Sequence, residues 1–549
     1  MPMLLKSEAP PAVAKEIQAI EDAADRGCQN LGLFTYSVNL ASWALLSRII
    51  LQVEQTILER GYRSQTQNAV MYNLARGGAQ ALTWVTDLGG SVPTARSGLL
   101  FDGALFAAAE QALGTAIGYE SFTTTFPLWH KGSVGAEIVR PNVVRFSGED
   151  RCSRRVRAYL QGLRPNKDRE APMEIGDALE PVVKEKIANI VKNASGDRSS
   201  FAYGRPMQLY RQLRDRYFEL SERLFRHEDS LLVGTYTLGD LRRFYSALLA
   251  VCAVHEHACF LRAQLKGTYP VNSGVMLLWH DKWVSLLTKI SGLRPEIVAD
   301  ILKDLTFGTT KTLDLYIHPF VELSEKPALL GIVPHFPLKS RPDENILRVC
   351  SLLRPALYDV ITNTKENQMR DELKSRAHPA FRVGGPRALP GGLPDIDLIV
   401  EDVGSSTAVI AELKWLRKTI RTVEHVTQES SFLHGVGQMQ RIREFLGANP
   451  RFLVDRKDLS QELPAYRNLH YLVVPRDYFV WVDPSGGIPV VDFEPLCRGL
   501  ARHGNLAEAM DELLRFDWLP TEGADFAINY ETFTVSGVSV ETEVIYAKY

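Results

Sequence analysis

Pro394-Asp395-Ile396-Asp397-Leu398-Ile399-Val400 and, beyond Gly404-Ser405-Ser406, Ala408-Val409-Ile410-Ala411-Glu412-Leu413-Lys414-Trp415 are two short apolar runs rich in β-branched residues. Runs of this length bounded by turn residues predict a pair of strands with a short connection. Side chains alternate along a strand, so Asp395 and Asp397 share one face, and Glu412 and Lys414 share one face of the next strand. Charges set directly after an apolar run are costly to bury without purpose. If the two faces meet, carboxylates from both strands and one ammonium group converge at one end of a small sheet. Carboxylate oxygens are hard ligands for Mg²⁺, which needs only one or two of them. Such a metal polarises a phosphate and lowers the pKa of a bound water, while a nearby cation balances charge developing on phosphorus. The competing reading is an ordinary αβ domain in which Asp397 caps a strand end and Glu412 with Lys414 is a solvated pair.

The surroundings extend the pattern. A helical pattern spans about 345–377, broken or kinked at Pro355, with Glu366, Met369 and Leu373 on one face. Phe381-Arg382-Val383 is a candidate intervening strand, and Gly384 to Gly392 a flexible loop placed to lie along a substrate. After Lys414 come a helical stretch containing Gln438, then two strand-like runs, His470 to Val474 and Tyr478 to Val482. The expected order is α-β-β-β-α-β.

In these residues the stretch resembles the PD-(D/E)xK nuclease superfamily, the restriction-endonuclease-like fold. Ile396-Asp397-Leu398 is similar to its Asp strand and Glu412-Leu413-Lys414 to its E-x-K strand. A RecB-like subset carries Gln-x-x-x-Tyr on the following helix; here Gln438 is in register but Ile442 stands where the tyrosine would be. The resemblance covers about 345–492 and does not reach the rest of the chain. It implies that Asp397 and Glu412 hold Mg²⁺, with Mn²⁺ as a substitute and the Leu413 carbonyl as a further ligand. Lys414 would orient or help deprotonate the attacking water and stabilise charge on phosphorus. Gln438 would position water or Lys414, and Glu366 would complete a second-metal or outer site. The implied activity is a metal-dependent endonuclease acting on nucleic acid, DNA being the superfamily's usual substrate, with RNA left open. The alternative is a nuclease fold that no longer cuts and serves as a scaffold or protein-interaction platform.

Composition sets the frame. The chain has 549 residues, 45% apolar and 23% charged, with a net charge of −2. That is a globular average, and a near-neutral balance confines any phosphate-binding surface to a local patch. Around the site, Arg417, Lys418, Arg421 and Arg441 are candidate nucleic-acid contacts. The densest basic run is Arg151, Arg154, Arg155, Arg157, Arg164, Lys167 and Arg169. It reads first as a solvated helical face and second as a phosphate-contact surface through Arg154, Arg155 and Arg157. Six scattered cysteines read as reduced thiols rather than a disulfide frame. With no leader-like N-terminus and no uncharged apolar run of about 18 residues, cytoplasm is the expected compartment and no membrane partner is expected.

The fold class expected is α+β and multidomain: a large, mainly helical N-terminal region followed by the α/β nuclease-like core. The expected division is a helical region at 1–125, a basic, loop-rich segment at 126–204, and a helical region ending in a β-hairpin at 205–342. The nuclease-like core takes 343–492, and a C-terminal helix and hairpin 493–549. Thr123-Thr124-Thr125-Phe126-Pro127 reads as loop and short-strand chemistry. Within the second helical region, Cys252, His255 and Cys259 share a helix face but lack a fourth ligand, so core thiols with a satisfied histidine is the favoured reading. The helical region is expected to recognise a target, assemble a homo-oligomer, bind a regulatory protein or hold the nuclease in check. A large helical region fused to a compact nuclease suits a bacterial antiviral-defence or mobile-element protein, a step that is association rather than physics.

Overall fold

Helical spacing of aliphatic residues builds the first third of the protein. In Pro11–Gly27 (α1), Val13, Ile17, Ile20 and Ala24 form the buried stripe; Val38–Arg60 (α2), Gln65–Leu88 (α3) and Gly103–His130 (α4) pack on one another, and α1 lies against α4. The structure, a computed structural model, describes residues 9–548 apart from 61–64, 90–101, 133, 148–150, 161–180, 196–201, 222–226, 268, 309–313, 326–327, 340–341, 417–421, 455–465 and 477–486. The threonine stretch expected as loop and strand is helix instead. The Thr124 and Thr125 hydroxyls donate to the carbonyls of Glu120 (2.6 Å) and Ser121 (2.9 Å), while Phe122, Phe126 and Trp129 are buried. Burial of three aromatic side chains outweighs the few tenths of a kcal/mol per residue of unfavourable helix propensity.

A hairpin of Gly135–Arg140 (β1) and Val143–Ser147 (β2) follows, then Arg151–Leu160 (α5), Pro181–Lys192 (α6) and Met207–Ser221 (α7). Leu238–Lys266 (α8) is capped by a Thr237–Asp240 box and ended by left-handed Gly267. Among the described residues it is the one helix long and apolar enough to cross a membrane, and 78% of its most apolar window is buried inside the protein. The sequence pattern of Val275 to Ile290 reads as one helix, but the structure divides the stretch into Val271–Gly274 (α9), the strand Met276–Trp279 (β3) and His280–Ser291 (α10). Pro295–Asp304 (α11) precedes the hairpin of Phe320–Glu325 (β4) and Ala328–Ile332 (β5). β5 is the central strand of the order β3-β5-β4 rather than an edge, because Pro334 lies outside it and leaves its amides available.

His335–Lys339 (α12) and Pro342–Leu353 (α13) lead to Pro355–Arg376 (α14), with the break at Pro355 where expected. The start of α14 is anchored: Arg354 Nη2 donates to both Asp304 oxygens at 2.9 and 2.8 Å, and Tyr236 donates to the same carboxylate at 2.6 Å. Then come Arg382–Gly384 (β6), Leu398–Asp402 (β7), Thr407–Trp415 (β8), Thr422–Ala448 (α15) and Asn468–Arg476 (β9), in sheet order β6-β7-β8-β9. β7 and β8 are antiparallel and β8 and β9 parallel, so the chain must cross over between the last two, which α15 does. The strand expected over 478–482 lies outside the described residues. One apolar core runs from α6–α8 through this sheet, so the division expected near 342 separates elements but not packing.

The expected C-terminal helix is two, Phe493–Arg502 (α16) and Leu506–Leu513 (α17), the second started by Asn505, whose side chain accepts from Ala507 and Glu508 amides. The final hairpin, Phe526–Val535 (β10) and Val538–Ala547 (β11), forms as expected, but not as a separate unit. β11 pairs in parallel with β2, giving the order β1-β2-β11-β10. The basic run explains the join. Arg154 pairs with Glu543 at 2.6 Å, Arg157 pairs with the other oxygen of the same carboxylate, and Arg155 donates to the carbonyls of Phe516, Leu519 and Pro520. Glu543 is buried, and these two guanidinium groups hold its carboxyl below the usual range although burial opposes them. Arg154, Arg155 and Arg157 are therefore neither a solvated face nor a phosphate surface; their charge is spent inside the protein. Arg164, Lys167 and Arg169 lie outside the described residues.

Candidate metal centre in the four-stranded sheet

The register of β7 and β8 creates the site. The last paired positions are Leu398 and Ala411, so Asp397 and Glu412 stand opposite one another one step beyond the ladder, where opposed side chains share a face. Their carboxyl groups interact directly, each acting on the other's ionisation. Asp397 Oδ2 also accepts from the Leu413 amide at 3.0 Å, and Lys414 Nζ donates to Glu412 Oε1 at 2.6 Å. Glu366, from α14, accepts the Trp415 amide at 3.3 Å. Leu413 and Trp415 thus turn their N–H groups toward the cleft left when β7 ends, and two carboxylates from other elements occupy it. A strand residue presents its N–H and C=O to the same side, so the Leu413 carbonyl faces this cleft as well.

Two glycines make the geometry. A Cβ on Gly385, whose φ is +125°, would lie 2.3 Å from the Asp397 carbonyl oxygen; only glycine fits against the Asp397 backbone in that conformation. On α15, a Cβ on Gly435 would lie 3.4 Å from Lys414 Cε and 3.6 Å from Glu412 Cγ, so the helix packs directly onto the paired side chains. The loop expected to be flexible is tied down: Arg387 bridges to Ile396 through both backbone bonds and donates to the Phe452 and Leu453 carbonyls at 2.5 and 3.0 Å.

Burial sets the protonation. Only 4% of the Glu412 side chain is exposed, and burial, helped by the Asp397 charge and opposed by Lys414, pushes its carboxyl up to about 7. Asp397 is raised by burial, against the Leu413 amide and the charges of Lys414 and Arg370. Glu366 is raised by burial, with Lys414 opposing. For Lys414 burial acts downward, but Glu412, Glu366 and Asp397 outweigh it and the ammonium is held above its ordinary value. Two carboxyl groups that must share a proton are a donor set short of positive charge. Among the described residues no three His, Cys, Asp or Glu side chains form a ready metal shell; Mg²⁺ does not require one, since it takes one or two carboxylates and keeps waters. The Asp397–Glu412 pair with the Leu413 carbonyl fits that ion.

The expected residues divide as follows. Asp397, Glu412 and Lys414 are together, with Glu366 as an outer member; Asp395 is exposed and apart from them. Gln438 lies one turn beyond Gly435 on α15, and its buried Oε1 has no partner among the described residues. Arg441 is exposed a further turn along, and Ile442 is fully buried in the core. Arg417, Lys418 and Arg421 lie outside the described residues. Sequence reasoning missed Arg370, whose Nη1 is 3.4 Å from the Asp397 carbonyl oxygen. Its position four residues after Glu366 was the available signal. The Cys252–His255–Cys259 cluster is core, as favoured: His255 contacts Tyr203 Oη at 2.9 Å and the Ser273 carbonyl at 2.8 Å, and burial pushes its imidazole down to about 4.

Comparison with models of known protein families, with curated proteins and with solved structures finds no match to this chain.

Proposed function

We propose that the sheet of β6–β9 with α14 and α15 is a PD-(D/E)xK-like nuclease core, and that the protein is a metal-dependent endonuclease hydrolysing phosphodiester bonds, with DNA the favoured substrate. The observation that carries the reading is the Asp397–Glu412 carboxyl pair, set opposite each other where β7 and β8 part, with Lys414 on Glu412. Asp397 and Glu412 would hold Mg²⁺ with the Leu413 carbonyl. When bound, Mg²⁺ supplies a polarised phosphate and a water of lowered pKa.

The chain's own residues do the rest. Lys414 is held protonated, so it acts as a cation beside phosphorus and as an orienter of the attacking water rather than as the base. The water oxygen bonds to phosphorus as the bond to the leaving oxygen breaks; the water's proton passes to solvent, and a solvent water protonates the leaving oxygen. Gln438 Oε1, buried and without a partner among the described residues, would accept from that water or from Lys414, and Glu366 keeps the end of β8 in place through the Trp415 amide. Arg441 is an exposed contact for the strand's backbone. The helical region reaches the same corner: His227 lies edge-on to Trp415 at 5.6 Å, and Glu228 accepts from Gln368 of α14 at 2.8 Å. Target recognition, assembly or restraint of the nuclease fits that position.

The test is cleavage of supercoiled plasmid, single-stranded DNA and RNA in Mg²⁺ or Mn²⁺, beside Asp397→Ala and Lys414→Ala. Metal-dependent cutting lost in both variants is the expected result. No cutting and no calorimetric signal for divalent cations in the wild type would overturn it and leave a scaffold.

A further inference from the structure

The arrangement of α14 and α15 carries one step more, resting on the nuclease reading. Side chains on β8 alternate between two helices: Glu412 and Lys414 face Gly435 of α15, whereas Trp415 meets Tyr358 of α14 at 6.0 Å between ring centroids. The two helices therefore cover opposite faces of the sheet, and the carboxyl pair lies at the sheet end between them. Lys414 is the cation on the α15 side. Arg370, on α14, is the cation on the other.

Arg370 is half-buried beside the residue that supplies one of the two carboxyl groups. Nη1 donates to the Asp397 carbonyl at 3.4 Å and Nη2 to Asn367 Oδ1 at 2.7 Å. A guanidinium has five N–H donors in a planar fork suited to two oxygens of one phosphate. Those two bonds are the ones it makes among the described residues, and neither is to a carboxylate. That distinguishes it from the neighbouring arginines: Arg376 is paired with Glu372 and Glu494, and Arg476 with Glu372. A cation half out of solvent, beside an anionic pair and without a carboxylate of its own, is suited to an incoming anion.

We propose that Arg370 is a second phosphate-binding cation of the site, gripping a non-bridging oxygen of the nucleic-acid strand across the carboxyl pair from Lys414. The substrate phosphate would lie between two cations drawn from opposite faces of the sheet, with its orientation set by the planar fork.

The test compares wild type, Arg370→Ala and Arg370→Lys in cleavage, in Mg²⁺ calorimetry, and in the salt dependence of oligonucleotide binding in Ca²⁺. Expected for Arg370→Ala is a loss of about tenfold to hundredfold in kcat/KM, unchanged Mg²⁺ affinity, and a binding slope against log salt shallower by about one phosphate contact. Arg370→Lys should keep the wild-type slope, since its charge is retained, while losing part of the rate with the fork. Mg²⁺ affinity falling in step with activity would overturn the proposal, because Arg370 would then act only by positioning Asp397. Equal cutting and equal slopes in wild type and Arg370→Ala would overturn it while the nuclease reading stands. A wild type that neither cuts nor differs from Asp397→Ala would sink both.

Discussion

The protein holds two buried acidic clusters that look alike on paper. In the helical region Glu54 of α2, Glu256 of α8 and His335 of α12 meet, His335 Nε2 lying 3.6 Å from Glu54 and 3.1 Å from Glu256. In the sheet, Asp397, Glu412 and Lys414 meet. Each has two carboxyl groups beside one basic side chain, and in each burial pushes one glutamate up to about 7. They differ in what closes around them. Glu54 and His335 are almost fully buried among helices, with Tyr269 hydrogen-bonded to Glu54. The other cluster sits where two strands part, with a fifth of the Lys414 side chain exposed and the Leu413 carbonyl turned into the cleft. A perturbed pKa therefore does not by itself identify a functional site; access for a ligand does. The helical cluster ties α2, α8 and α12 together.

Lys414→Ala and Asp397→Ala should each lower cleavage by at least about a thousandfold, some 4 kcal/mol of transition-state stabilisation, in protein that remains folded. Glu54→Gln should leave the cleavage rate unchanged. Conversely, His335→Ala leaves Glu54 and Glu256 buried without their basic partner and should cost about 3 kcal/mol of stability, read as a fall in denaturation midpoint. Glu412→Gln should lose activity with no loss of Tm, since it removes a buried charge that is repelled by its neighbour. If His335→Ala abolished cutting in a folded protein, the division between structural and chemical clusters would be wrong.

A smaller effect tests the glycine that seats Asp397. Gly385→Ala forces a Cβ against the Asp397 carbonyl, and a misplacement of about 1 Å should cost on the order of a hundredfold in rate. Its signature would be weakened Mg²⁺ binding in a protein that remains folded.

The smallest effects are in pH. Glu412 must lose its proton to bind a cation, so apparent Mg²⁺ affinity should rise about tenfold per pH unit up to about 7 and then level, with proton release on binding. For Glu54 the sign is set by a folded pKa raised from 4.5 to about 7. The folded state holds the proton more tightly, so the contribution to stability is fully present below 4.5 and is lost as pH rises through 7. Glu54→Gln should flatten that part of the profile in denaturation experiments run from pH 4 to 8, and Mg²⁺ should leave it unaltered.

Much of the site was legible in the sequence because strands and helices carry short periods. Two residues per strand repeat put Glu412 and Lys414 on one face. Apolar neighbours on both sides of Asp397 favoured it over the alternative, Asp395. Pro355 marked a helix boundary because its ring cannot continue the preceding turn. What was missed depended on partners. The threonines at 123–125 read as strand until Phe122, Phe126 and Trp129 found a core. β3 was hidden inside an apparent helix because four residues of Met276–Trp279 pair only with β5. Arg370 looked like any surface arginine until α14 lay along the start of β7.

By itself, the sequence determined the local elements and which chemical groups each displays, because the repeats of helix and strand are properties of a few consecutive residues. Tertiary structure alone decided which of those groups face water and which face each other. Arg154 and Arg157 meet Glu543 across 389 and 386 residues of chain, and no local period encodes such a meeting. Nor could any pattern tell that one glutamate with a carboxyl near 7 would be sealed among helices while another opened on a cleft. That difference arises from how layers pack, which is settled by burial of area over the whole chain rather than by the spacing of any motif.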